Sequence, residues 1–341
     1  LLERTRTDRR RGKVILAGDV GGTHARLAIF DARGEELKLI LEQVYASHSY
    51  PNLEAIVTEF LGSTSAKPDS AGIGVAGPVR DGRCVATNLP WVVDAATLRG
   101  STGLKEIVLL NDLEANAYGI ATLVPADFVV LQKGRPEPRG SVAVISAGTG
   151  LGEAGMHWDG AMLRPFASEG GHSSYAPEGE LEGELFQYLA KRYGHVSCER
   201  VLSGPGLVNI YEFLRDTRKG SEPAGFAEEL KAGDPSAVIS EAAIAKRNEL
   251  CVTALDTFVR IYGAEAGNIA LKFLASAGVY LGGGIAPKIL QKLKEPAFLE
   301  AFLAKGRMRP LLEAMPVLVI LNENTALRGA ARGALLHAEQ R

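Results

Sequence analysis

The sequence predicts an α/β protein built from two related halves. Three observations lead there. A strand, a glycine-rich turn and a return strand occur twice, at Val14–Phe30 around Gly18-Asp19-Val20-Gly21-Gly22-Thr23 and at Val142–Trp158 around Gly148-Thr149-Gly150-Leu151-Gly152. Apolar strand-like runs and helical periodicities intermix along the whole chain, which favours α/β layers over an all-α bundle. At 341 residues the chain exceeds one ordinary domain, taken as about 100–200 residues.

Residues 13–31 read as a hairpin around the first glycine turn. Pro51–Leu61 reads as a helix, with Leu53, Ile56, Val57 and Phe60 at helical spacing. Ile73–Ala76 is a short apolar strand stopped by Gly77-Pro78. Ile107–Leu110 is another, and Asn111-Asp112 follow where a helix N-cap belongs, with a helix to about Ala121. Gly134–Gly140 is a loop before the second hairpin. From about Glu180 the chain is mainly helical, over 180–193, 206–215, 224–231, 235–246 and 248–274. A strand at Val279–Leu281 enters Gly282-Gly283-Gly284, a helix covers 286–293, a strand covers Val317–Leu321, and a terminal helix covers 324–338. The domain switch is placed near Asn111. Residues 13–110 with 323–341 then form a small domain and 111–322 a large one, behind an Arg-rich tail over 1–12 that is expected to be disordered.

The net charge of −2 provides no basic field for non-specific nucleic-acid binding. No apolar run reaches the roughly 18 residues of a membrane span. Cys84, Cys198 and Cys251 are odd in number and scattered, which argues against a structural zinc site and fits a reducing cytoplasm.

The first glycine turn is not a GxxxxGK[ST] loop. Its backbone N–H groups and the Thr23 hydroxyl still suit phosphate oxygens, and Asp19 at the strand end suits a Mg²⁺ ion held through water. A plain hairpin turn is the competing reading. The second copy and the Gly282-Gly283-Gly284 turn shift the balance towards a nucleotide gripped from several sides, with ATP the natural candidate. Asp112 is either a rigidly held general base or simply a capping residue. Glu169-Gly170-Gly171-His172 is either a polar turn for a ligand with several hydroxyls or an incidental surface turn. Glu199, ahead of Ser203-Gly204-Pro205-Gly206, reads locally as solvent-facing.

Together these segments resemble the bacterial glucokinase family of the sugar kinase, heat-shock protein 70 and actin superfamily. The likeness rests on residues 17–23, Gly74-Val75-Ala76-Gly77-Pro78, Thr87-Asn88-Leu89-Pro90-Trp91, Leu110-Asn111-Asp112, Gly148–Gly152, Glu169–His172, Glu199–Gly206 and Gly282-Gly283-Gly284-Ile285. They stand in the family's order and span the chain after residue 12. The resemblance implies two ribonuclease-H-like (actin-like ATPase) domains that close over D-glucose, with MgATP as phosphoryl donor. Asp112 would be the base on the 6-hydroxyl. Asn111, Glu169, His172 and Glu199 would bind the other hydroxyls, with Asn88 and Gly77 lining the sugar side. Gly18, Val20, Gly21, Gly22 and Thr23 would lie at the phosphates, with Asp19 near Mg²⁺. Gly148, Thr149 and Gly150 would form the second phosphate loop, and Gly283 and Gly284 would lie against the nucleoside. A homodimer is implied in the same way.

His24 departs from the Asn that relatives often carry there. The zinc motif of the related repressor/open-reading-frame/kinase group is missing, and only a dozen residues precede the first strand. Both points argue against a sugar-responsive repressor. A kinase for another hexose, a non-catalytic sugar sensor and an actin-like or chaperone-type ATPase are the rival readings.

Overall fold

The long apolar runs become central strands because both faces of each sheet are covered. The computed structural model describes residues 12–34, 36–86 and 89–339. The expected tail lies outside these residues up to Arg11, as do Thr87 and Asn88. The chain divides into two units, Leu1–Pro125 with Asn322–Arg341, and Ala126–Leu321.

The first unit contains β1 (Lys13–Val20), β2 (His24–Arg33), β3 (Glu36–Ala46), α1 (Leu53–Gly62), β4 (Ser70–Val75), β5 (Val79–Arg80), β6 (Arg83–Val85), β7 (Val92–Asp94), α2 (Ala95–Thr102), β8 (Glu106–Asn111) and α3 (Asp112–Ile120). Its main sheet has the order β3-β2-β1-β4-β8. β1, β2 and β3 run antiparallel, whereas β4 and β8 continue parallel to β1. Side chains alternate along β1. Leu16 and Val20 join a core with Ile56, Phe60 and Ile73, while Ile15 and Ala17 join a core with Phe30, Leu327 and Ala331. The apolar face expected of α1 is the buried one, at Leu53, Ile56, Val57 and Phe60.

The second unit contains β9 (Phe128–Gln132), β10 (Val142–Ala147), β11 (Leu151–Trp158), β12 (Leu163–Ser168), α4 (Gly179–Tyr193), α5 (Gly204–Asp216), α6 (Phe226–Ala232), α7 (Pro235–Ile244), α8 (Glu249–Phe273), β13 (Gly278–Gly282), α9 (Ile285–Lys288), α10 (Leu290–Leu293), α11 (Pro296–Leu303), α12 (Arg309–Ala314) and β14 (Val317–Ile320). Its sheet order is β12-β11-β10-β13-β14-β9. The first five strands repeat the first unit's pattern, with two antiparallel pairs followed by two parallel ones, and β9 adds an antiparallel edge. Each unit therefore carries the ribonuclease-H-like order of the actin-like ATPase fold. The helix expected over 286–293 is two short helices, α9 and α10, which break at Ile289 (φ −101°, ψ 19°).

The chain ends in α13 (Thr325–Glu339), which packs on β1, β4 and α3. Glycines bring the backbones together. A Cβ at Gly329 would collide with the Ala115 carbonyl, one at Gly119 with the Thr325 carbonyl, and one at Gly72 with the Ala330 carbonyl. This packing holds α3 in the first unit. The division consequently falls at Pro125/Ala126, past the expected 110/111. Among the described residues no helix is long and apolar enough to cross a membrane.

Candidate active site

In the first unit, the β1–β2 turn closes with the Gly21 N–H donating to the His24 carbonyl at 3.0 Å. Gly21 does not use left-handed backbone, and a Cβ there would meet only the His24 carbonyl oxygen, at an ordinary 3.5 Å. Gly18 leaves room for Ile73 and Leu27, each 3.1 Å from where its Cβ would stand. Thr23 and His24 are exposed. Asp19 lies opposite Arg26 in the β1–β2 register. Burial pushes its carboxyl above the ordinary aspartate value, and the Arg26 charge opposes that shift.

Asn111 and Asp112 divide the labour at the start of α3. Asn111 is the N-cap, and its Oδ1 accepts from Leu113 N at 3.0 Å and Glu114 N at 3.3 Å. Its Nδ2 donates to the Gly77 carbonyl at 3.1 Å, which fixes the Gly77-Pro78 turn against the strand end. Gly77 has φ +137°, a conformation that favours glycine. Asp112 is the first helical residue, half-buried, and the Leu113 N–H also donates to its Oδ1 at 2.9 Å. Capping therefore falls to Asn111, and Asp112 is held rigidly beside it. Asn88 lies outside the described residues.

In the second unit the glycine turns come together. The Gly148 N–H donates to the Gly150 carbonyl at 2.9 Å, and the Gly148 carbonyl accepts from Gly204 N at 2.8 Å, at the start of α5. Gly283 (φ +78°) lies so close to Ala147 that a Cβ would strike its carbonyl oxygen. A Cβ at Gly284 would meet nothing within 4 Å, which leaves that face open. Backbone groups of Gly148, Thr149 and Gly150 thus adjoin both a helix N-terminus and the Gly282–Gly284 turn, a setting suited to an anion.

The polar cluster of the same unit also assembles. His172 stands between two carboxylates, with Nε2 4.0 Å from Glu169 Oε2 and Nδ1 4.0 Å from Glu199 Oε1. Glu169 and His172 are exposed, and their turn closes through His172 N to the Glu169 carbonyl at 3.0 Å. Glu199 is half-buried, not solvent-facing. Its Oε2 accepts from Leu151 N at 3.0 Å and would lie 2.6 Å from a Cβ at Gly150. One carboxylate thus joins the polar cluster to the second glycine turn, through partners 48 residues apart.

The glucokinase family model matches residues 16–337, nearly the whole described chain. The chain belongs to the glucokinase family. A glucokinase of Nostoc punctiforme is 41% identical over 333 residues, which cover 93% of this chain and 98% of the relative. The crystal structure of a glucokinase from an Antarctic psychrotroph superposes with a TM-score of 0.81 at 30% identity, covering 95% of this chain and 99% of the other. A ROK-family glucokinase from Streptomyces griseus, solved in complex with glucose and AMPPNP, is similar with a TM-score of 0.67 at 26% identity, over 95% and 99% of the two chains.

Among the described residues no group of three or more His, Cys, Asp or Glu side chains could hold a metal ion. Asp19 alone still fits Mg²⁺, which keeps most of its waters and takes one or two carboxylates plus substrate phosphates. Its partial desolvation means that a nearby cation would favour the ionised form. Two buried polar residues of this unit, Ser146 and Glu153, carry no motif signal in the sequence. The Ser146 hydroxyl is buried without a hydrogen-bond partner and lies where a Cβ at Gly282 would intrude. Glu153 is a buried carboxylate in β11 between Gly152 and Ala154, and a charge inside a mostly apolar strand is its one legible sign.

Proposed function

We propose that this glucokinase-family chain transfers the γ-phosphoryl group of MgATP to the 6-hydroxyl of D-glucose, giving glucose 6-phosphate and ADP. The observation that carries the reading is the assembled set. Asp112 stands next to Asn111, which holds the N-cap position of α3, and Glu169, His172 and Glu199 cluster beside a glycine turn suited to phosphate. A pure ATPase has no use for the second feature, and a pure sugar binder has none for the first.

In this reading Glu169, His172, Glu199 and Asn111 hydrogen-bond the sugar hydroxyls, with Gly77 and Asn88 lining the same side. Asp112 orients the 6-hydroxyl and takes its proton as O6 bonds to the γ-phosphorus and the bond to the ADP oxygen breaks. Phosphoryl transfer has a loose transition state, so positioning and charge neutralisation dominate. Gly18, Val20, Gly21, Gly22 and Thr23 serve one set of phosphate oxygens. Gly148, Thr149 and Gly150 serve another, and Gly283 and Gly284 face the nucleoside. Mg²⁺ held near Asp19 supplies charge neutralisation at the phosphates. Cys84, Cys198 and Cys251 are buried thiols outside any disulfide, which supports a cytoplasmic setting. Family membership supports a homodimer.

The test is product analysis with MgATP and a panel of hexoses. ADP and glucose 6-phosphate in equal amounts, with D-glucose preferred, is the expected result. ADP release that ignores sugar would overturn the reading.

A further inference from the structure

The first glycine turn is held from one side by a buried serine that belongs to no motif. Ser47 follows β3, opens the short 3₁₀ turn Ser47–Ser49 and is 0% exposed. All three of its polar groups are engaged. Its Oγ donates to the Gly21 carbonyl at 3.0 Å, across 26 residues of sequence. Its N–H donates to the Thr23 carbonyl at 3.0 Å, and its carbonyl accepts from Tyr50 N at 3.2 Å. Tyr50 packs edge-to-face on Tyr45, with ring centroids 5.7 Å apart, and Tyr45 packs in the same way on Phe60 of α1 at 6.5 Å. The serine is therefore anchored by the end of β3 and by the aromatic packing around α1.

We propose that Ser47 is a positioning residue for the phosphates of ATP, its hydroxyl latching the Gly21–Gly22 peptide so that the Gly22 N–H faces the nucleotide. This inference rests on the phosphate reading of the Gly18–Thr23 turn. The peptide is trans, so its C=O and N–H point in opposite directions. A carbonyl held towards Ser47 directs the Gly22 N–H away from it. The latch matters because a glycine stands on each side of this peptide. The two dihedrals that would rotate it, ψ of Gly21 and φ of Gly22, carry no Cβ restraint. Turned over, the peptide would offer an anion a carbonyl oxygen instead of a donor. The bond from Ser47 N to the Thr23 carbonyl is one that any residue but proline could make. The Oγ bond to the Gly21 carbonyl needs a hydroxyl, and it acts on the one peptide that glycine leaves free to turn.

The experiment uses the full chain with Ser47→Val and Ser47→Thr, two side chains of the same shape of which only threonine carries the hydroxyl. Ser47→Ala is a third variant that adds no volume. Steady-state KM values for ATP and for glucose are measured on each. In the wild type the Gly22 amide resonance is also followed as MgAMPPNP is added. The expected result is a Gly22 amide that shifts with nucleotide. Ser47→Ala and Ser47→Val should raise the KM for ATP about three- to ten-fold with an unchanged KM for glucose, and Ser47→Thr should restore the wild-type value to within about two-fold. Either hydroxyl-free variant that folds suffices. The same KM for ATP with and without the hydroxyl, or KM values that rise together for both substrates, would overturn the latch alone. A wild-type Gly22 amide indifferent to MgAMPPNP would overturn the phosphate reading of the turn, and the latch with it.

Discussion

At the scale of single residues, Glu199 shows how a side chain acquires a role from partners remote in sequence. Its Oε2 takes the Leu151 N–H, and its Oε1 faces His172. Local sequence left it pointing to solvent, because neither partner lies within its own segment. Sites that hydrogen-bond a substrate hydroxyl lose much of their affinity when the donor or acceptor is removed. Glu169→Ala and Glu199→Ala are therefore expected to raise the KM for glucose at least about ten-fold, and far more than the KM for ATP, in steady-state assays. Equal effects on both substrates would contradict the assignment. Gly283 makes a second residue-scale prediction. Its φ of +78° and its closeness to the Ala147 carbonyl leave no place for a Cβ. Gly283→Ala should destabilise the chain by about 1–3 kcal/mol, measured by denaturant unfolding, and raise the KM for ATP. The three-glycine run flagged this turn, but not which of its glycines needs the left-handed backbone. Gly21, by contrast, uses no positive φ.

At the scale of elements, the strands buried on both faces were the most legible. β1, β4, β8, β10, β13 and β14 stand out as apolar runs, and α1, α5 and α8 as periodic ones. The elements that escaped notice are of other kinds. β3 mixes charged and apolar residues because it lies at a sheet edge, and β5 and β6 are only two and three residues long. The domain switch moved for a similar reason. Nothing local in α3 announces that its Ala115 and Gly119 receive α13 from the far end of the chain. This contact is itself testable. Gly329→Ala inserts a methyl group against the Ala115 carbonyl, so it should cost about 1–3 kcal/mol and lower the melting temperature. An unchanged melting temperature would show that the helices pack less closely.

At the scale of the whole molecule, stability should carry the signature of the buried Glu153 carboxyl. The Glu153 carboxyl is raised from 4.5 to about 7 in the folded chain, which therefore binds more protons than the unfolded one between those values. The associated stability is complete below about pH 4.5 and is lost as pH rises through about 7. The melting temperature of the wild type should accordingly fall relative to Glu153→Gln across that window, followed by calorimetry at several pH values. That the chain holds two related halves was legible because the glycine-turn hairpin occurs twice; the sheet orders were not. Neither was the burial of Glu153, because the elements that cover it lie elsewhere in the chain.

The central claim is that Asp112 serves as the base of a sugar-dependent phosphoryl transfer. The measurement that bears on it most directly is ADP release from MgATP, with and without D-glucose, for the wild type and for Asp112→Asn. Asn111 keeps the helix cap in the variant, so folding should be preserved. The account predicts glucose-dependent release in the wild type and a loss of about 10²–10⁴-fold in the variant, with glucose still bound. Undiminished glucose-dependent release by folded Asp112→Asn would contradict it.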